Sequence, residues 1–180
     1  MPTVEQARCA EVIWGPGDTL AAIDVSDPSG DHMMVQLGYV NAPGSSSMGV
    51  ANTPEWQMSQ IPSTNIHATA SEVTRIYLTL LKPGRLLSRT LLAEATSPQS
   101  VGFCPVLGED VTFGLGLKPN SPRRPFGPNP SAFGHFGAVG TVGLADPGAG
   151  VAFGSAMNHV IPRWQSRHNR SLVDAVYRCL

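Results

Sequence analysis

Two apolar segments, 137–145 and 150–158, meet across Asp146-Pro147-Gly148. Proline presets the backbone dihedral of a turn and glycine tolerates positive φ, so this join predicts a β-hairpin and with it an antiparallel sheet. A hairpin cannot bury its own faces, and the remaining chain must supply covering elements. Thr69 and Glu72 have the T-x-x-E spacing of a capping box, in which each side chain satisfies a backbone N–H of the first helical turn. Ala70, Val73, Ile76, Tyr77, Leu80 and Leu81 then recur at spacings of three and four, and Pro83-Gly84 stops the pattern, which predicts a helix over 69–82. Ser88 is placed to cap a second helix with Leu91, Leu92 and Ala95 facing inward, ending before Ser97-Pro98. A closing helix is expected from about Ser171, with Ser171 and Asp174 spaced to cap it and Leu172, Val173, Val176, Tyr177 and Leu180 apolar. Between these, 111–117 alternates as a strand, and 118–133 reads as a proline-rich loop. The sum is an α+β fold, an antiparallel sheet flanked by helices.

The first 66 residues are different. They carry little periodicity and many breakers, among them Gly15-Pro16-Gly17-Asp18 and Pro43-Gly44-Ser45, and a stretch this irregular needs a surface to lie on. Glycine (19) and proline (16) are frequent enough to predict long loops, yet 42% hydrophobic residues exclude wholesale disorder. A net charge of −1 leaves no basic footprint for nucleic acid or a membrane surface. No apolar run approaches the ~20 residues that span a bilayer. The N-terminus lacks the charged and apolar regions of a secretory signal, so a cytoplasmic location is expected. Cys9, Cys104 and Cys179 are distant and odd in number, which reads as free thiols rather than a disulfide framework or a zinc site.

Motifs for chemistry are sparse. The glycines at 134, 137, 140 and 143 lack G-K-[ST] and a following helix, so they read as a glycine-containing strand and not as a phosphate loop. The five histidines show no metal spacing, and no metal or cofactor is expected. No G-x-S-x-G elbow occurs, and no serine has a lysine three residues on. Composition and spacing alone do not supply an active site, and His135 by itself reads as a strand residue as readily as a ligand-facing one.

The stretch Phe133-Gly134-His135-Phe136-Gly137, its glycines, the Ala145-Asp146-Pro147 turn and the returning Ala152-Phe153-Gly154-Ser155-Ala156-Met157-Asn158 resemble a strand pair of the serine β-lactamase and esterase superfamily. These are the penicillin-binding-protein-like hydrolases, including the family VIII esterases. His135-Phe136-Gly137 stands where the family carries a K-T-G or H-x-G triad beside its active site. Ala51-Asn52-Thr53-Pro54-Glu55-Trp56, the segment 61–68, the helix over 69–82, Gly84-Arg85-Leu86-Leu87-Ser88 and Phe113-Gly114-Leu115-Gly116 follow in the family's order. The likeness covers about 45–180 well and the first 45 residues weakly.

This resemblance implies one partial domain over 1–180: an irregular, loop-rich 1–66, then the helices, antiparallel strands and closing helix of the C-terminal part of a β-lactamase/transpeptidase-like fold over 67–180. It implies a carboxylic-ester or β-lactam hydrolase whose Ser-x-x-Lys nucleophile is absent here. Tyr39-Val40-Asn41 only superficially mimics the family's Y-x-N element. By resemblance, His135, Gly137 and Ala138 line the substrate pocket, with the Ala138 backbone N–H as one oxyanion donor, and no catalytic set is complete. The implied partner is a small ester or acyl substrate, taken if an N-terminal half completes the fold; uncovered apolar surface predicts self-association. A non-catalytic ligand-binding or interaction domain and a truncated gene product are the alternatives.

Overall fold

The computed structural model describes residues 3–13, 50–105, 107, 109–122, 125–137, 140–160 and 167–180. The chain divides into two compact units: Met1–His67 with Cys104–Glu109 and Asn158–Val160, and Ala68–Phe103 with Asp110–Met157 and Ile161–Leu180.

In the first unit, the stretch expected to be irregular holds short pieces of helix, α1 (Thr3–Gln6), a 3₁₀ turn (Val50–Asn52) and α2 (Pro54–Met58). Thr53 caps α2 by accepting from the Trp56 N–H, and Pro54 occupies the first turn, where its missing N–H costs nothing. Side-chain amides take the role of strand neighbours here. Asn52 accepts from the Val12 N–H at 2.8 Å and donates to the Val12 carbonyl at 2.9 Å. Asn65 accepts from the Ile61 N–H and donates to the Trp56 and Ser59 carbonyls. Ile13 forms a parallel bridge with His159.

The second unit carries the sheet. Strands β1 (Ser100–Cys104) and β2 (Glu109–Phe113) form a two-stranded sheet, whose β1–β2 connection belongs to the first unit. Strands β3 (Lys118–Pro119), β4 (Phe133–Phe136), β5 (Val142–Asp146) and β6 (Val151–Ser155) form a four-stranded antiparallel sheet in that order. The expected hairpin is β5–β6, with the turn starting at Pro147. Helix α3 (Ala70–Leu80) begins with the expected capping box, its Thr69 N–H donating to Glu72 Oε2 at 2.7 Å. Helix α4 (Arg89–Ala95) is capped by Ser88.

Strand alternation sorts the core into two layers. On one sheet face lie Phe136, Val142 and Leu144, packed with Phe126, Ala132 and Val173 and flanked by Phe153 and Tyr177. Helix α5 (Arg167–Arg178) supplies Val173 and Tyr177 to that layer. The opposite face presents Phe133 and Ala145 to Leu80, with Tyr77, Leu81, Leu87, Leu92 and Leu117 around them. Strand β5 is buried along its whole length because both faces are covered. Glycines set how near α3 comes: a Cβ on Gly154 would lie 2.8 Å from the Ala70 carbonyl oxygen and from the Thr74 nitrogen.

Several expectations are corrected in detail. The run 111–117 is not one strand: β2 ends at Phe113, and Gly116, at φ +72°, bends the chain before β3. The proline-rich loop is shorter than 118–133, since Lys118–Pro119 and Phe133 are strand residues. Asn120 organises that loop by donating to the Gly127 and Asn129 carbonyls and accepting from the Phe126 N–H, which delivers Phe126 into the core, stacked 4.5 Å from Phe136. Helix α5 starts at Arg167, so Ser171 lies inside it and caps nothing. Leu91 is exposed rather than inward, and the apolar Leu180 is exposed as well. Val101 and Phe103 of β1, a strand not expected at all, are largely exposed.

Candidate active-site strand

The site is built on β4. Its register with β5 pairs Phe133 with Ala145, Gly134 with Leu144, His135 with Gly143 and Phe136 with Val142. Side chains alternate across a strand, so His135 lies on the face of Phe133, Gly143 and Ala145, the face that α3 covers. The register with β3 joins Pro119 to Phe133 and Lys118 to Gly134 and stops before His135. Beyond β4, Gly137 donates to the Thr141 carbonyl at 2.9 Å. A Cβ at Gly137 would fall 2.1 Å from Thr141 Oγ1, so any larger residue there would have to push the threonine hydroxyl aside. His135 and Gly137 are thus brought to one strand end, half-buried. Ala138 and the Tyr39-Val40-Asn41 element lie outside the described residues.

Burial pushes the His135 pKa below its ordinary value of 6.5; the Lys118 charge adds to this, and a hydrogen bond with the Phe136 backbone opposes it. The imidazole is therefore neutral at pH 7, with one nitrogen a donor and the other an acceptor. Lys118 itself is buried, its ammonium 4.1 Å from the centre of the Phe113 ring, a cation–π placement that offsets part of its desolvation. Neither Lys118 nor Tyr77 was expected near the site. That the chain contains only two lysines, Lys82 and Lys118, was the available signal for the first.

Opposite this face, Asp146 is fully buried beneath α5. Its Oδ2 accepts from Tyr177 Oη at 2.6 Å and Asn129 Nδ2 at 2.7 Å, and its Oδ1 from the Gly148 and Ala149 N–H groups. Burial alone would raise the Asp146 pKa, but these bonds outweigh it and hold the carboxyl below its ordinary 3.8. A cleft of about 620 Å³ on the α5 side, lined by Pro125, Pro128, Arg170, Val173, Tyr177 and Arg178 among others, does not include His135. Among the described residues, no three His, Cys, Asp or Glu side chains are grouped to hold a metal ion, and no helix is long and apolar enough to cross a membrane.

Three solved structures are similar to this chain over essentially its whole length. EstA from Arthrobacter nitroguajacolicus Rue61a aligns with a TM-score of 0.76 and 25% identity, covering 99% of this chain and 48% of that one. A family VIII carboxylesterase aligns at 0.75 and 26%, covering 100% of this chain and 46% of the other. A penicillin-binding protein homolog from Caulobacter crescentus aligns at 0.76 and 28%, covering 100% and 47%. The chain therefore spans about half the length of the structures it matches. No curated protein matches it. The Beta-lactamase family model matches residues 2–177, taking in both units and the His135 strand. With helices on both faces of an antiparallel sheet and a family match over nearly its full length, the chain belongs to the Beta-lactamase family.

Proposed function

We propose that this chain forms the substrate-side part of a serine hydrolase of the carboxylic-ester type, and that it does not turn over substrate on its own. The observation that carries this reading is the end of β4, where a neutral His135 and the tight Gly137–Thr141 approach stand together just past the last residue paired to β3. The likeness to a carboxylesterase, and a family built on acyl transfer, favour an ester over other small molecules.

Acyl transfer needs an activated nucleophile, a base and donors aimed at the developing oxyanion. In this reading His135 faces the acyl group, Gly137 lets the backbone turn toward it, and the Ala138 amide is one oxyanion donor. The second donor and the nucleophile come from a Ser-x-x-Lys segment, which no serine in these 180 residues provides. Loss of one oxyanion donor costs about 10²–10³ in rate, and loss of the nucleophile removes the covalent route. A single partial domain, a small ester as ligand without a cofactor, and a cytoplasmic location belong to the same proposal.

The test is hydrolysis of a short-chain p-nitrophenyl ester by the purified chain and by its His135→Ala and Tyr39→Phe variants, with and without a polypeptide comprising the Ser-x-x-Lys half of a related esterase. Turnover only in the mixture, reduced by His135→Ala, is expected. Turnover by the chain alone, abolished by one of the substitutions, would mean that a nucleophile lies within it and would overturn the reading.

A further inference from the structure

We propose that Tyr77 is a positioning residue for His135: its ring, seated on Gly143, forms the wall against which the imidazole is held. The inference deepens the reading above and rests on it only for the use made of the held imidazole.

The geometry comes from two independent observations. His135 and Gly143 are direct partners across β4 and β5 and share a sheet face. Side chains in such pairs have Cβ atoms about 4.5–5.5 Å apart. Gly143 has no Cβ, and the space is not empty. A Cβ built there would lie 2.1 Å from Tyr77 Cε2, 2.8 Å from Cδ2 and 3.0 Å from Cζ. The phenol ring therefore fills the place that a cross-strand neighbour of His135 would fill. Tyr77 packs with the Leu80, Phe133 and Ala145 cluster, and Phe133 and Ala145 are themselves strand partners on this face. A ring held by two strands from below and by its own helix from above has few rotamers left, so it makes a stiff wall.

Electrostatics agrees with this arrangement. Burial pushes the Tyr77 phenol up to about 12, so it stays protonated and uncharged over the range in which esters are turned over. The imidazole is kept neutral chiefly by burial, and Lys118 is the charged group that acts on it. An apolar ring beside His135 excludes water on that side without adding a charge. An ionised neighbour would raise the imidazole pKa instead, and would leave it protonated where a hydrogen-bond acceptor is wanted.

The experiment is solution NMR on the full chain, with His135 assigned by comparison with His135→Ala. Nuclear Overhauser contacts between the Tyr77 and His135 rings are expected in the unmodified protein, and their absence from a folded sample would overturn the proposal. The His135 titration midpoint is expected to move up, toward the ordinary histidine value, in Tyr77→Ala, and to stay near its original position in Tyr77→Phe, which keeps the ring. His159 serves as the internal control. An unchanged His135 midpoint in folded Tyr77→Ala would also overturn it, and if that variant does not fold the ring contacts decide. None of these readouts needs turnover, so loss of the hydrolase reading and loss of this one are separately visible.

Discussion

At the residue scale, Asp146 links three parts of the second unit: its strand, the Asn129 loop and α5 through Tyr177. Burial, then the bond to Asp146 and its charge, raise the Tyr177 pKa far above ordinary tyrosine, so the phenol is always the donor. Tyr177→Phe removes a charge-assisted bond and leaves a buried carboxylate one donor short. A loss of about 1–3 kcal/mol in chemical denaturation is expected. The pH dependence has two windows with the same sign. His135 has its folded pKa lowered, so the unfolded chain binds the extra proton first, and stability falls as pH drops below 6.5 until the folded value is passed. Asp146 has its folded pKa lowered as well; its contribution is complete above the unfolded value of 3.8 and is lost as pH falls through the folded one. Urea midpoints measured against pH should show both steps, with His135→Ala flattening the upper step and Asp146→Asn the lower. A lower step unchanged by Asp146→Asn would count against this assignment.

At the element scale, the capping box of α3 is worth about 1 kcal/mol, and Thr69→Ala should lower the denaturation midpoint accordingly. Gly154→Ala should cost about 1–3 kcal/mol, because its Cβ meets backbone atoms of Ala70 and Thr74, which cannot swing away as the Thr74 hydroxyl beside them could. Caps and turns were legible in the sequence because their signals are local: Thr69 with Glu72, Ser88, and Asp146-Pro147-Gly148 act within a few residues. What escaped depends on long-range context. Strand β1 carries Val101 and Phe103 outward, so alternation has no buried face to report. Gly114-Leu115-Gly116 alternates like a strand, but the positive φ of Gly116 breaks it there. The first turn of α5, Arg167-His168-Asn169-Arg170, has no apolar periodicity, and Ser171 offered a false start. His135 is marked by its triad, whereas Tyr77 is in sequence one member of a helix stripe, and its seat on Gly143 exists only in the folded sheet.

At the scale of the whole molecule, the division into two units and the half-length match to related structures bear on solution behaviour. Val101, at 73% exposure, and Phe103, at 66%, stand on an exposed strand with other apolar side chains in water nearby in sequence, Leu91 and Leu115. Such surface favours association of copies. Size-exclusion elution should shift to larger species as concentration rises, and a Val101→Thr/Phe103→Ser variant should elute later; a monomer at all concentrations would refute this. The covered central strand has the opposite character. Every residue of β5 is buried, with a strand on each side and a helix layer above and below. Solvent deuterium reaches its amides only when the sheet as a whole opens, whereas those of β1 exchange through local fraying. These amide protons are thus a clock for global opening, and they sit one strand away from His135.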